Sequence, residues 1–221
     1  MKSNQFAVIG LGRFGSSLAR ELIRLGHEVL GVDRSEQVAD EMSAFLTHTV
    51  IADTTDEEAL RSIGIRNVDC AVVAIGNDIQ ASILTSILLK ELEVRKVVAK
   101  ALSGLHGKVL QKIGVDRVIF PERDMGVRVA NQLVSPNLLD YIELSKNYTI
   151  AELSATRKLA CRSLKELDTR ARFGCSIVAI NKKNDQVVIA PAAEDLVEEG
   201  DVMVVIGTNE QIDNFESSVN A

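Results

Sequence analysis

Gly10, Gly12 and Gly15 form a GxGxxG sequence directly after a short apolar run, residues 6–9, and directly before a helical pattern over residues 14–25. Few folds use three glycines at this spacing in this setting. The first permits a tight turn at the end of a strand. The second lets backbone approach a phosphate closely, and the third lets a helix pack against the strand. The helix N-terminus that follows offers free N–H groups and a partial positive charge to an anion. Asp33 ends the next apolar segment, 18 residues beyond Gly15. A carboxylate there accepts hydrogen bonds from ribose hydroxyls and repels a 2′-phosphate. Together these features predict an adenine-nucleotide site on a Rossmann-like sheet.

The chain keeps this rhythm up to residue 136. Leu18, Leu22 and Leu25 share a face of the first helix, and Gly26 stops it. Ser35 is expected to cap a helix reaching about Leu46, and Thr55 with Glu58 reads as a capping box. Residues 49–52, 70–75, 96–101 and 117–120 read as further strands. Helices are expected over residues 79–92, 105–113 and 122–133, the last opened by Pro121. Ile79, Ile83, Ile87 and Leu88 are expected mostly to cover the sheet. Six short apolar strands alternating with helices predict an α/β fold with a doubly wound parallel sheet. After Ser135 and Pro136 the rhythm changes. A linker helix over residues 137–144 is expected, then strands near 150–155, 177–181, 187–190 and 202–206, with helices near 163–167 and 211–217. Strands following strands predict a small α+β domain. The expected division is therefore a nucleotide-binding domain, residues 1–136, and a linker plus regulatory domain, residues 137–221.

Charge and composition narrow the function. The 221 residues include 25 basic and 31 acidic side chains, a net charge of −6. Such a chain lacks the basic face that nucleic-acid binding needs, and with no Trp it has no aromatic stacking platform. Residues 137–221 hold 9 basic and 14 acidic side chains, so most of the net charge lies there. The longest apolar runs fall well short of a membrane span. The N-terminus has neither the length nor the cleavage pattern of a signal peptide, so a cytoplasmic location is expected. Cys70, Cys161 and Cys175 have no CxxC spacing and read as buried or half-buried thiols; the three histidines show no metal spacing.

Arg13 lies inside the glycine loop and Arg34 follows Asp33. NAD carries two phosphates in diester linkage, whereas ATP and ADP end in extra negative charge that an arginine fork binds bidentately. No convincing acid/base pair or catalytic cysteine appears, so catalysis is not expected. A small NAD-dependent oxidoreductase stays open as the alternative.

Three segments carry a family resemblance. Residues 6–15 (FAVIGLGRFG) with Asp33, residues 71–81 (AVVAIGNDIQA) and residues 120–126 (FPERDMG) resemble the cytosolic subunits of Ktr-type potassium uptake systems, members of the family of domains that regulate potassium conductance. The resemblance implies a homo-oligomeric ring, commonly an octamer, on the inner face of the membrane. There it would control a separate potassium-translocating subunit under ATP and ADP. By position, Gly10, Leu11, Gly12, Arg13, Phe14 and Gly15 would hold the phosphates, with Arg13 at the terminal one. Asp33 and Arg34 would meet the ribose, while Asp53, Thr54, Ile75 and Gly76 would frame the adenosine. Lys100 and Glu122 fall where the family has further contacts, Glu122 beside a divalent cation, Mg or Ca. Read without the resemblance, Lys100 is a solvated strand-end lysine and Glu122 a first-turn glutamate favoured by the helix dipole. In relatives the C-terminal domain binds cyclic di-AMP. Arg170 and Pro191 match positions used there, and Ser176 stands where some relatives carry an asparagine.

Overall fold

The computed structural model describes residues 4–135 and 137–220. Pro136, part of the expected break in rhythm, and residues 1–3 of the N-terminal segment lie outside them. Chain contacts divide the protein into two units, Met1–Arg123 and Asp124–Ala221, ahead of the boundary expected at residue 137.

In the first unit strands and helices alternate: β1 (Gln5–Ile9), α1 (Arg13–Arg24), β2 (Glu28–Asp33), α2 (Glu36–Ser43), β3 (His48–Ile51), α3 (Glu57–Ser62), β4 (Cys70–Val73), α4 (Ile79–Glu91), β5 (Val97–Lys100), α5 (Gly104–Ile113) and β6 (Arg117–Ile119), with α6 (Pro121–Val134) running on into the second unit. The strands form one parallel sheet in the order β3-β2-β1-β4-β5-β6. Successive residues of β1 face opposite sides. Ala7 and Ile9 enter a core with Val73, Leu89 and Leu110, while Val8 meets Ala19, Val29 and Met42 on the other face. Strand order reverses between β1 and β4, and there the loops after both strands leave a crevice.

Local chemistry fixes the helix ends. Ser35 accepts a hydrogen bond from the Val38 amide, as expected, but α2 stops at Ser43, short of Leu46. The cap of α3 is Asp56, which accepts from the Glu58 amide; the expected capping box at Thr55 is not formed, because Thr55 donates to Asp53 instead. The apolar stripe expected on α4 covers the sheet only in part: Leu88 packs against the core, Ile83 and Ile87 are half-buried and Ile79 is exposed. The side chains buried there are Ser82, Thr85, Ser86 and Leu89, with Ile79 and Leu84 exposed. Small side chains let the helix approach the strands; Ser86 Oγ donates to the Ser82 carbonyl and Thr85 pairs with Thr54, while the buried Ser82 hydroxyl has no hydrogen-bond partner among the described residues. Of the three cysteines, Cys70 and Cys175 are buried and Cys161 is exposed. No helix among the described residues is long and apolar enough to cross a membrane.

The second unit holds the remainder of α6, then β7 (Leu138–Glu143), β8 (Tyr148–Ser154), β9 (Arg162–Ser163), α7 (Leu164–Leu167), α8 (Thr169–Phe173), β10 (Ser176–Asn181), β11 (Val187–Ile189), β12 (Leu196–Val197), β13 (Val202–Thr208) and α9 (Asn209–Asn220). Five strands make an antiparallel sheet in the order β11-β10-β13-β8-β7, and β9 pairs with β12. The expected linker helix over residues 137–144 is instead the edge strand β7, with Tyr141 opposite Ala151 and Ile142 opposite Ile150. Tyr141 and Ile142 are strand formers, and an edge place beside β8 satisfies backbone groups that a lone helical turn would leave to solvent. The end of α6 is tied to this strand: Asn131 donates to the Tyr141 hydroxyl at 3.0 Å, and Arg128 pairs with Asp140.

A buried ion pair anchors one corner of this sheet. Asp201, 1% exposed, accepts from the Lys182 ammonium at 2.7 Å and from the Glu198 amide at 2.9 Å. Lys182 also donates to the Leu196 carbonyl at 2.7 Å. Removing one member of such a pair strands the other charge. Asp201→Ala is therefore expected to destabilise the second unit by about 3 kcal/mol in urea unfolding; a loss under about 1 kcal/mol would show the pair to be incidental.

Candidate functional site

The crevice at the strand reversal is a cleft of about 690 Å³, within the roughly 300–1,000 Å³ of small-molecule sites. Its floor is the glycine loop. Gly10 adopts φ +89°, and a Cβ there would meet the Ile75 amide nitrogen at 3.0 Å. A Cβ on Gly15 would lie 1.9 Å from the Gly10 carbonyl oxygen, so only glycine lets α1 start this close to β1. Gly12 is different: nothing lies within 4 Å of an added Cβ, and the residue faces the open cleft.

Gly12 is also the N-cap of α1, and it supplies no side-chain cap. Elsewhere in this unit Ser35, Asp56, Asp78 and Ser103 cap α2, α3, α4 and α5 with side-chain oxygens. The first turn of α1 carries no acid either. Its amides and its end of the helix dipole are thus left to the cleft. Arg13, exposed in the same turn, makes no salt bridge among the described residues.

Asp33 holds the loop in place. One carboxylate oxygen accepts from the Leu11 amide at 2.7 Å and the other from the Ser35 amide at 2.9 Å. Each oxygen keeps a further lone pair toward the cleft. Across the mouth Arg34 lies 3.7 Å from Asp78, which at the same time caps α4. Asp53 accepts from the Thr55 hydroxyl and amide, and those bonds hold its carboxyl below the usual range.

The far wall carries a paired charge. Lys100, at the end of β5, is 6% exposed, and its ammonium binds the exposed Glu122 carboxylate at the start of α6. That bond, ahead of a smaller influence from Arg13, keeps the Glu122 carboxyl below its ordinary value. Lys100 is thus neither solvated nor alone, contrary to its plainest reading from sequence.

Of the fourteen positions expected at the nucleotide, twelve line this cleft. Leu11 and Gly15 are buried beneath it, acting through backbone position. Asn77, Asp78 and Leu102 also line it and were not expected. Asp78 had a legible signal, an Asp directly before a helix in the turn facing the glycine loop. Arg170, Ser176 and Pro191 lie in the second unit, where Arg170 Nε donates to Ser176 Oγ at 3.4 Å. Among the described residues no three His, Cys, Asp or Glu side chains converge as a metal site.

With this geometry in hand, comparison with known proteins is decisive. Residues 6–121 match the TrkA-N domain and residues 148–220 the TrkA-C domain. The chain belongs to the Ktr/Trk family of potassium uptake regulatory subunits. It is 50% identical over 217 residues to Ktr system potassium uptake protein A of Bacillus subtilis (strain 168), covering 98% of this chain and 97% of that one. Identity to Ktr system potassium uptake protein C of the same organism is 46% over 215 residues, 97% of each chain. Among solved structures the GsuK channel shares the fold, with a TM-score of 0.55 at 24% identity; all of this chain is covered, but it spans only 39% of that channel's length.

The glycine geometry predicts two opposite outcomes. Gly15→Ala forces backbone against backbone and is expected to cost about 3 kcal/mol or more. Gly12→Ala, with open space around it, is expected to cost no more than about 1 kcal/mol, the preference of an N-cap for Gly over Ala. Thermal unfolding of both variants checks the pair.

Proposed function

We propose that this potassium uptake regulatory subunit binds ATP or ADP in the cleft of its first unit and acts as a ligand-driven switch rather than a catalyst. The observation that carries the reading is the uncapped N-terminus of α1 with the unpaired Arg13 guanidinium beside it. Bare amides suit any phosphate, but an extra cation suits a ligand ending in a terminal phosphate better than one with only diester phosphates. Asp33 keeps lone pairs for ribose hydroxyls and opposes a 2′-phosphate. Thr54, Ile75 and Gly76 give the adenosine a mixed polar and apolar wall. An NAD-dependent oxidoreductase is the competing reading, favoured by tight retention of NAD(H) with turnover of a hydroxy or keto substrate.

A divalent cation, Mg or Ca, fits only in a shared role. Glu122, the carboxylate that the resemblance puts beside it, is already matched by Lys100, so most ligands would be phosphate oxygens and water. A cation there would neutralise phosphate charge. Because Glu122 opens α6, its bond to Lys100 is the proposed link from the cleft to that helix. A ligand shifts an equilibrium only through contacts that differ between the two states. ATP and ADP differ by the terminal phosphate, so Arg13 and Glu122 are the proposed sensor.

Exposed apolar side chains on each unit support self-association: Ile79 and Leu84 of α4 in the first, and Met125, Val129 and Leu133 of α6 in the second, a helix that buries none of its residues. We therefore assign the chain to a homo-oligomeric ring, an octamer by family resemblance, on the cytoplasmic face of a membrane potassium-translocating subunit. Cyclic di-AMP is the proposed second ligand, at Arg170, Ser176 and Pro191.

Arg13→Ala is expected to lower ATP affinity by about tenfold, about 1.5 kcal/mol for a charge-assisted contact, and to leave ADP affinity largely unchanged. Calorimetry with both nucleotides checks this; an equal loss for ADP would place Arg13 on shared phosphates. Light scattering at micromolar concentration is expected to show an oligomer. A monomer, with and without ATP, would reject the ring.

A further inference from the structure

We propose that the second unit carries a separate site for a small phosphate monoester with an apolar body, in a cavity of about 190 Å³ between the loop before β9, α7, α8 and α9. None of Arg170, Ser176 and Pro191 lines it, so it is not the proposed cyclic di-AMP position. It is also independent of the nucleotide cleft.

The cavity's chemistry runs against that of its surroundings. Residues 137–221 are strongly acidic, yet three of their nine basic side chains, Lys158, Arg162 and Arg172, line this cavity and no acidic side chain does. None of the three forms a salt bridge among the described residues. The nearby Glu166 carboxylate is hydrogen-bonded by the Ser163 amide and hydroxyl in a capping box; Arg162 donates to the Glu166 backbone carbonyl at 3.3 Å and acts on the carboxylate only through space. Three like charges gathered with no direct ion pair to balance them repel one another, so an anion at this rim gains from all three.

The floor is apolar. Leu159, Leu167 and Phe215 are buried beneath the rim, and the rings of Phe173 and Phe215 meet at 5.3 Å with a 53° tilt. The Arg172 guanidinium stands 5.0 Å from the Phe173 ring centroid. A fully hydrated ion would leave this floor unused, whereas a body such as a single ring would cover it. The volume lies below the roughly 300–1,000 Å³ of drug-sized sites, which limits the ligand to about one ring and its head group. Three cations match a phosphate monoester, with about −1.5 to −2 charges near neutral pH, better than a carboxylate.

The test is calorimetry on the full chain with phenyl phosphate, benzoate and inorganic phosphate as probes. Phenyl phosphate is expected to bind saturably, at least about tenfold tighter than either of the other two. Combining Arg162→Gln with Arg172→Gln is expected to weaken it at least about tenfold. These side chains are outside the core, and a melting curve confirms that the variant folds. Arg13→Ala, which alters the other cleft, is expected to leave the affinity unchanged. Three outcomes overturn the proposal. One is no saturable binding; another is equal affinity for inorganic phosphate, which would mean surface cations alone. The third is binding lost in Arg13→Ala but kept in the double variant.

Discussion

The first turn of α1 approaches the end of β1 so closely that a methyl group at position 15 would sit 1.9 Å from the Gly10 carbonyl. The rest of the cleft follows from that contact. It sets where α1 begins, leaves Gly12 facing open space, and places Arg13 and Phe14 on the cleft wall. Asp33 then locks the arrangement from the neighbouring strand by holding the Leu11 amide. A loop so constrained is preformed, and a ligand binding to it pays little to order it.

Where the sequence was legible, one physical cause dominated one pattern. Apolar strands between helices could only be the interior of a sheet covered on both faces, and the glycines could only be a close turn. Legibility failed where two causes competed. Residues 138–143 are equally apolar whether helical or extended, and the decision came from the next strand, β8, which offers backbone partners across a short turn. On α4 the isoleucines drew attention by their size. The sheet selected Ser82, Thr85 and Ser86, because closeness there outweighs hydrophobic area. Thr55 and Glu58 have capping-box spacing, but Asp53 captured the Thr55 hydroxyl first.

The same competition explains the site. Twelve of its expected residues line the cleft because strand ends converge at the reversal of strand order, and their positions follow from topology. Asp78 was missed because it does two tasks, capping α4 and facing Arg34, and sequence spacing shows only the first. The pairing of Lys100 with Glu122 joins residues far apart in the chain, and no local pattern encodes it.

Arg13 differs from Lys100 in one respect that extends beyond the cleft. The lysine charge is enclosed and balanced by its partner, so dissolved ions hardly reach it, whereas the arginine charge is open to solvent. Electrostatic reach in water shrinks from about 10 Å at 0.1 M salt to about 3 Å at 1 M. Rising salt would therefore weaken the pull of Arg13 on an anion more than that of the enclosed Lys100 ammonium, giving the cleft a graded sensitivity to ionic strength.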